Sequence, residues 1–237
     1  MADEKRNDGK RVLVVGASRG LGEAVVEDYA RRGARVIGTA RSDGGTPLHR
    51  FAGAAGGAVE VERVDIADRG ELDALAERLQ GRSFDLLFVV AGISLAPRGA
   101  IAADVDDADF ALMMQTNALG AIRAVEALGP LVEPEGTIAV MSSGQGSIAG
   151  NRSGGFEVYR ATKAALNQLM RSYAARHEGD RRALLLLAPG WVRTDMGGDG
   201  APFSIADSIP PLVDTIEAQS GIAGLRYLDR HGETVPW

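Results

Sequence analysis

Short apolar runs recur along this chain, and each is followed by a longer stretch with helical period. Arg11–Val15, Arg35–Ala40, Val59–Val64, Asp85–Val90, Thr137–Met141, Ala183–Leu187 and Leu225–Leu228 read as strands. Between them, Gly20–Arg32, Arg69–Leu79, Asp107–Leu128, Glu157–His177 and Ala206–Gln219 place apolar residues at the spacing of one helix face, and the Gly/Ala-rich stretch 46–57 is a helix or a loop. Strands that are continuously apolar must be covered on both sides. Separated by helices, they predict an α/β chain: a doubly wound parallel sheet of about seven strands with helices on both faces. No linker or repeat divides the pattern, so residues 11–237 read as a single domain, with a substrate loop at about 190–206. Residues 1–10 are charged and read as a flexible tail.

Composition narrows the chemistry. The 237 residues, 45% hydrophobic, suffice for one large core. A net charge of -6 and only 5% aromatic residues argue against a nucleic-acid partner. With no cysteine, and with His49, His177 and His231 far apart, no metal or thiol site is expected. No apolar run reaches the roughly 18 residues that span a bilayer, and the charged start lacks an apolar signal core. The expected location is cytoplasmic, with no membrane partner.

Two local patterns point to a site. Gly16, Gly20 and Gly22 lie between the first strand and the first helix, with Ser18, Arg19 and Leu21 among them. Glycine lets the backbone approach a pyrophosphate, and the helix start offers unpaired N–H groups and a positive dipole end. The second strand ends Gly38-Thr39-Ala40-Arg41, without the acid that would accept a hydrogen bond from an adenosine 2′-hydroxyl. Arg19 and Arg41 can instead clamp a 2′-phosphate, which favours NADP(H) with NAD(H) as second choice. The other reading leaves Arg41 solvated and gives the ribose to Asp43. Further on, Tyr159 and Lys163 stand four apart on one helix face, where an ammonium would draw the phenol's pKa down from about 10 toward a useful range.

In order, the glycine turn, Asp65-Ile66, Ala91-Gly92, Asn117, Ser142-Ser143, Tyr159-x3-Lys163 and Pro189-Gly190 resemble the short-chain dehydrogenase/reductase family. The resemblance runs from Arg11 to Trp237. The segments Tyr159–Asn167, Pro189–Gly198 and Gly232–Trp237 look like its C-factor-like carbonyl reductase branch. The resemblance implies a Rossmann fold and a catalytic group of four. Tyr159 would be the general acid/base, and Lys163 would depress its pKa and hold the nicotinamide ribose. Ser143 would donate to the substrate oxygen, and Asn117 would hold a water linking Lys163 to solvent. It also implies cofactor contacts by Asp65 and Ile66 at the adenine, by Ala91, Gly92 and Ile93 after the fourth strand, and by Pro189, Gly190, Val192 and Thr194 at the nicotinamide. Pro-S hydride transfer and a homodimer or homotetramer built on the two long helices are implied as well.

The chain departs from the family where Val89-Val90 replace the usual Asn before Ala91-Gly92, removing a side-chain tie between strand ends. Gly197, Gly198 and Gly200 suggest a mobile substrate loop, with Trp191, Met196, Phe156 and Phe203 as an apolar wall or as core. Two functions follow. One is an NADP(H)-dependent reductase of a neutral, medium-sized carbonyl compound, with alcohol oxidation as the reverse. The other is an NAD(P)-binding signalling or redox-sensing protein of C-factor type with little turnover.

Overall fold

The computed structural model describes residues 9–237, and the expected tail lies almost wholly outside them. Lys10, its last residue, is anchored, with its ammonium 2.5 Å from the Glu217 carboxylate. Seven parallel strands form one sheet in the order β3-β2-β1-β4-β5-β6-β7. They are β1 (Arg11–Val15), β2 (Arg35–Ala40), β3 (Val59–Arg63), β4 (Phe84–Val89), β5 (Val132–Met141), β6 (Ala183–Ala188) and β7 (Gly224–Asp229). The helices are α1 (Gly20–Arg31), α2 (Pro47–Ala54), α3 (Arg69–Arg78), α4 (Asp107–Met114), α5 (Ala121–Leu128), α6 (Glu157–Arg176) and α7 (Ile205–Gln219). This is the doubly wound fold that the pattern predicts.

Strand alternation divides the core in two. Leu13 and Val15 of β1 join the cluster under α3, α5 and α6, whereas Val12 and Val14 join the one under α1, α2 and α7. Each fully buried Val or Leu contributes about 1.5–3 kcal/mol, so the sheet is held from both faces. The order reverses between β1 and β4, and the cleft outside their carboxyl ends is where such a sheet takes a ligand.

The largest departures from the sequence pattern are two. The helix expected over 107–128 is broken into α4 and α5 by a π-helical segment, Gln115–Gly120, with Asn117 inside it. Its flanks keep right-handed helical angles, so the axis continues while the hydrogen-bond ladder slips. Further on, β5 starts at Val132 rather than Thr137. Val132 pairs with Phe84, the register then shifts, and Thr137 pairs with Leu86. Among the described residues no helix is long and apolar enough to cross a membrane.

Candidate active site

The glycine turn is shaped by contacts to two neighbouring strands. Gly16 N–H donates to Thr39 Oγ1 at 3.0 Å and Ala17 N–H to the Thr39 carbonyl at 2.8 Å. A β-carbon on Gly16, whose φ is 90°, would lie 2.6 Å from Ala91, and one on Gly22 would lie 2.1 Å from the Gly16 carbonyl oxygen. No side chain fits either place. Arg19 caps α1 without a side-chain hydrogen bond, which leaves the N–H groups of Gly20, Leu21 and Gly22 available at the helix start. Ser18 stands half-buried beside them. These groups fit a dinucleotide pyrophosphate. Thr39, whose side chain fixes the turn, carries no motif and was missed by sequence reasoning.

The arginines differ. Arg41 is exposed and has no acidic partner within ion-pair distance among the described residues. Arg19 is paired with Asp195 of the 190–206 loop at 2.7 Å. Asp43 lies 3.8 Å from Arg63, which also donates to the Arg41 carbonyl. Just beyond β3, Asp65 Oδ1 accepts from Ala67 N–H at 2.9 Å, the Asp65 N–H is held by Glu71, and Ile66 is buried.

The four expected catalytic residues meet at the carboxyl ends of β4 and β5 and the first turns of α6. Lys163 is buried and its Nζ donates to the Met141 carbonyl at 2.9 Å. A β-carbon on Gly92 would lie 3.5 Å from that Nζ and 3.3 Å from Asn117 Oδ1, so strand end, π turn and lysine converge. Asn117 is fully buried. Its Oδ1 accepts from Ile93 N–H at 2.7 Å, and its Nδ2 donates to the Ile93 carbonyl at 2.8 Å and to Thr162 Oγ1 at 3.1 Å. Both amide donors are therefore engaged with protein. Asn117 ties the segment after β4 to α6.

The electrostatics differ from those of a phenol drawn down by a neighbouring ammonium. Tyr159 has some accessible surface, but its phenol end is packed in, and burial pushes its pKa up to about 12. The influence drawing it down is the nearby Ser143 side chain, not the lysine. Lys163 Nζ is 5.9 Å from the Tyr159 ring centre and is engaged with Met141, while burial lowers its own pKa to about 8. At neutral pH it is still an ammonium, and it faces the Met141 carbonyl rather than the phenol.

The loop after β6 is bonded to itself rather than loose. Val192 pairs with Phe203, Trp191 Nε1 donates to the Gly197 carbonyl at 2.8 Å, and Gly197 N–H donates to Thr194 Oγ1 at 3.1 Å. Ser208 holds the Pro189 carbonyl at 2.7 Å, and the Arg230 guanidinium lies 3.8 Å from the Phe203 ring centre beside Gly190. Arg98, absent from every sequence motif, lies 4.1 Å from the Trp191 ring centre and 4.8 Å from that of Phe156. It joins the segments after β4 and β6 to the start of α6. Phe156 adopts φ 52°, a strained value for a bulky residue, directly before the helix that carries Tyr159.

Known proteins share this architecture. A solved short-chain dehydrogenase/reductase from Burkholderia multivorans with bound NADP is 50% identical, covering 97% of this chain and 100% of that one, with a TM-score of 0.95. A carbonyl reductase from Pseudomonas aeruginosa PAO1 in complex with NADP is 38% identical over 97% and 100% of the two chains, with a TM-score of 0.89. The C-signal protein of Myxococcus xanthus is 38% identical over 136 residues, 56% of this chain and 82% of that protein. The sequence model of the short chain dehydrogenase family matches residues 10–202, and this chain belongs to that family.

Proposed function

We propose that this protein is an NADP(H)-dependent oxidoreductase that moves hydride between a nicotinamide and the carbon of a carbonyl or alcohol group. The observation that carries the reading is the convergence of Ser143, Tyr159 and Lys163 at the strand ends that face the glycine turn. When bound, NADP(H) would supply or take the hydride. Gly16, Ser18, Gly20, Leu21 and Gly22 would hold its pyrophosphate, and Arg19 and Arg41 the 2′-phosphate. Asp65 and Ile66 would flank the adenine, with Ala91, Gly92 and Ile93 behind the ribose. Pro189, Gly190, Val192 and Thr194 would meet the nicotinamide. NADP in the two solved relatives supports the same choice here.

In reduction, Ser143 donates a hydrogen bond to the substrate oxygen as negative charge gathers there. The neutral Tyr159 phenol gives that oxygen its proton. Its raised pKa keeps it protonated across neutral pH, which suits reduction; oxidation needs the phenolate and gains as pH rises. Lys163, bonded to the Met141 carbonyl two residues before Ser143, would act on this pair from behind and would meet the ribose hydroxyls. Asn117 positions both strand end and helix. The exposed apolar side chains Leu95, Ile148, Trp191 and Met196 follow β4, β5 and β6, and Arg98 is spent on aromatic rings, which favours a neutral, apolar carbonyl substrate.

The likeness to the C-signal protein favours a second reading, in which cofactor binding serves a contact rather than turnover. We also assign homo-oligomer formation to the face of α4 and α6. There an apolar groove of about 600 Å³, lined by Ala111, Met114, Ala118, Leu119, Ala165 and Leu169, would seat a second copy of the chain. Light scattering at the monomer mass would remove that assignment.

The test of the function is loss of cofactor absorbance with a panel of aldehydes and ketones. Turnover with NADPH well above NADH is expected. NADPH binding with no turnover across the panel would favour the contact reading.

A further inference from the structure

We infer that Tyr227, on β7, is a positioning residue whose hydroxyl holds the Ser143 peptide so that the Ser143 side chain faces Tyr159. The inference rests on the roles proposed above for Ser143 and Tyr159. Ser142 makes the last ladder bond of this strand end, its N–H donating to the Leu187 carbonyl at 2.8 Å. Ser143 lies one residue beyond, at the mouth of a loop with glycines at 144, 146, 150, 154 and 155, whose backbone is intrinsically soft. Its hydroxyl has two duties. It accepts from Gln145 N–H at 3.2 Å, and it stands near enough to the Tyr159 phenol to draw that pKa down. A rotated Ser143 peptide would lose one or both.

The restraint comes from two strands away. Tyr227 is 2% exposed, and its hydroxyl donates to the Ser143 carbonyl. The Trp237 ring packs on Tyr227 with centres 5.5 Å apart, and the Arg171 guanidinium lies 4.8 Å from the Trp237 ring centre. The Trp237 backbone carbonyl accepts from Ala149 N–H at 2.9 Å, inside the same loop. Alongside, Ser142 Oγ donates to Asn167 Oδ1 at 2.6 Å, and Asn167 Nδ2 donates to the Gly146 carbonyl at 3.3 Å. The chain beyond β7 thus closes against the serine loop, and Tyr227 is the part that touches the Ser143 peptide.

Tyr227→Phe keeps the ring and removes only the hydroxyl. The expected result is a fall in kcat of about tenfold, smaller than the hundredfold or more that follows complete loss of an oxyanion donor. NADPH affinity stays within about twofold by calorimetry. In the alcohol-oxidation direction the pH profile moves to higher pH, because Tyr159 loses the serine that draws its pKa down. A direct effect of Tyr227 would have the opposite sign, since its proximity raises the Tyr159 pKa. In a Ser143→Ala background, Tyr227→Phe has no further effect. An equal loss in both backgrounds, or a shift to lower pH, overturns the inference. If Tyr227→Phe does not fold, Trp237→Leu is read the same way, with a smaller loss that also vanishes beside Ser143→Ala. Wild-type turnover in Ser143→Ala would sink the functional reading and this inference together. A large loss in Ser143→Ala beside a neutral Tyr227→Phe would sink the positioning role alone.

Discussion

The two halves of the site are built from different material. The glycine turn after β1 is made of backbone: two close approaches, one helix start and a threonine bracket from β2. The corner at Tyr159 is made of side chains brought from the π turn, the end of β5 and α6, and two of them are ionisable groups moved far from their ordinary pKa. A backbone site is rigid because nothing larger than hydrogen fits. A side-chain site is tuned, and it spends stability to bury polar groups. Substitutions should therefore fail sterically in the first half and electrostatically in the second.

The largest break is expected at Gly22→Ala. Its β-carbon would enter the Gly16 carbonyl, so NADPH affinity should fall on the order of a hundredfold, about 2.7 kcal/mol, with a lower melting temperature. Lys163→Met should separate activity from stability. Turnover falls about a hundredfold, while the melting temperature without cofactor rises by about 5 °C at pH 7, because a desolvated ammonium is gone. The sign with pH is fixed. Burial lowers the Lys163 pKa from 10.5 to about 8, so between those values the unfolded chain holds more protons and wild-type stability rises with pH. The advantage of Lys163→Met should shrink from pH 7 to pH 10 in thermal melts. A constant gap would contradict the burial argument.

Smaller effects sharpen the contrast. Arg41→Ala should raise the KM for NADPH about tenfold and leave that for NADH unmoved, as expected for one lost charge-assisted bond to a phosphate. Equal changes with both cofactors would return Arg41 to the solvated reading and the ribose to Asp43. The smallest is Asp195→Ala. Its pair with Arg19 is exposed on both sides, so the melting temperature should stay within about 1 °C.

The strands were legible because runs such as Val12–Val15 and Leu184–Leu187 are buried on both faces, which leaves an unbroken apolar signature. The glycine turn was legible for a related reason, since its constraint is local. The π turn was not. Gln115–Gly120 contains no proline, and what favours it is the long-range tie from Asn117 to Ile93 and Thr162. The early start of β5 was hidden by Glu133, Pro134, Glu135 and Gly136, which read as a turn until Val132 meets Phe84. The spacing of Tyr159 and Lys163 correctly put them on one face, yet it could not show that the ammonium is engaged with Met141, 22 residues earlier. Thr39, Arg98 and Tyr227 were invisible for the same reason: each acts on a segment distant in sequence.

The central claim is that the side-chain half of the site performs chemistry while the backbone half binds. Its most direct test is Tyr159→Phe, measured for NADPH-dependent carbonyl reduction and, in the same preparation, for NADPH affinity by calorimetry. The expected result is a loss of turnover of about a thousandfold with affinity unchanged within about twofold. Turnover that survives the substitution would contradict it.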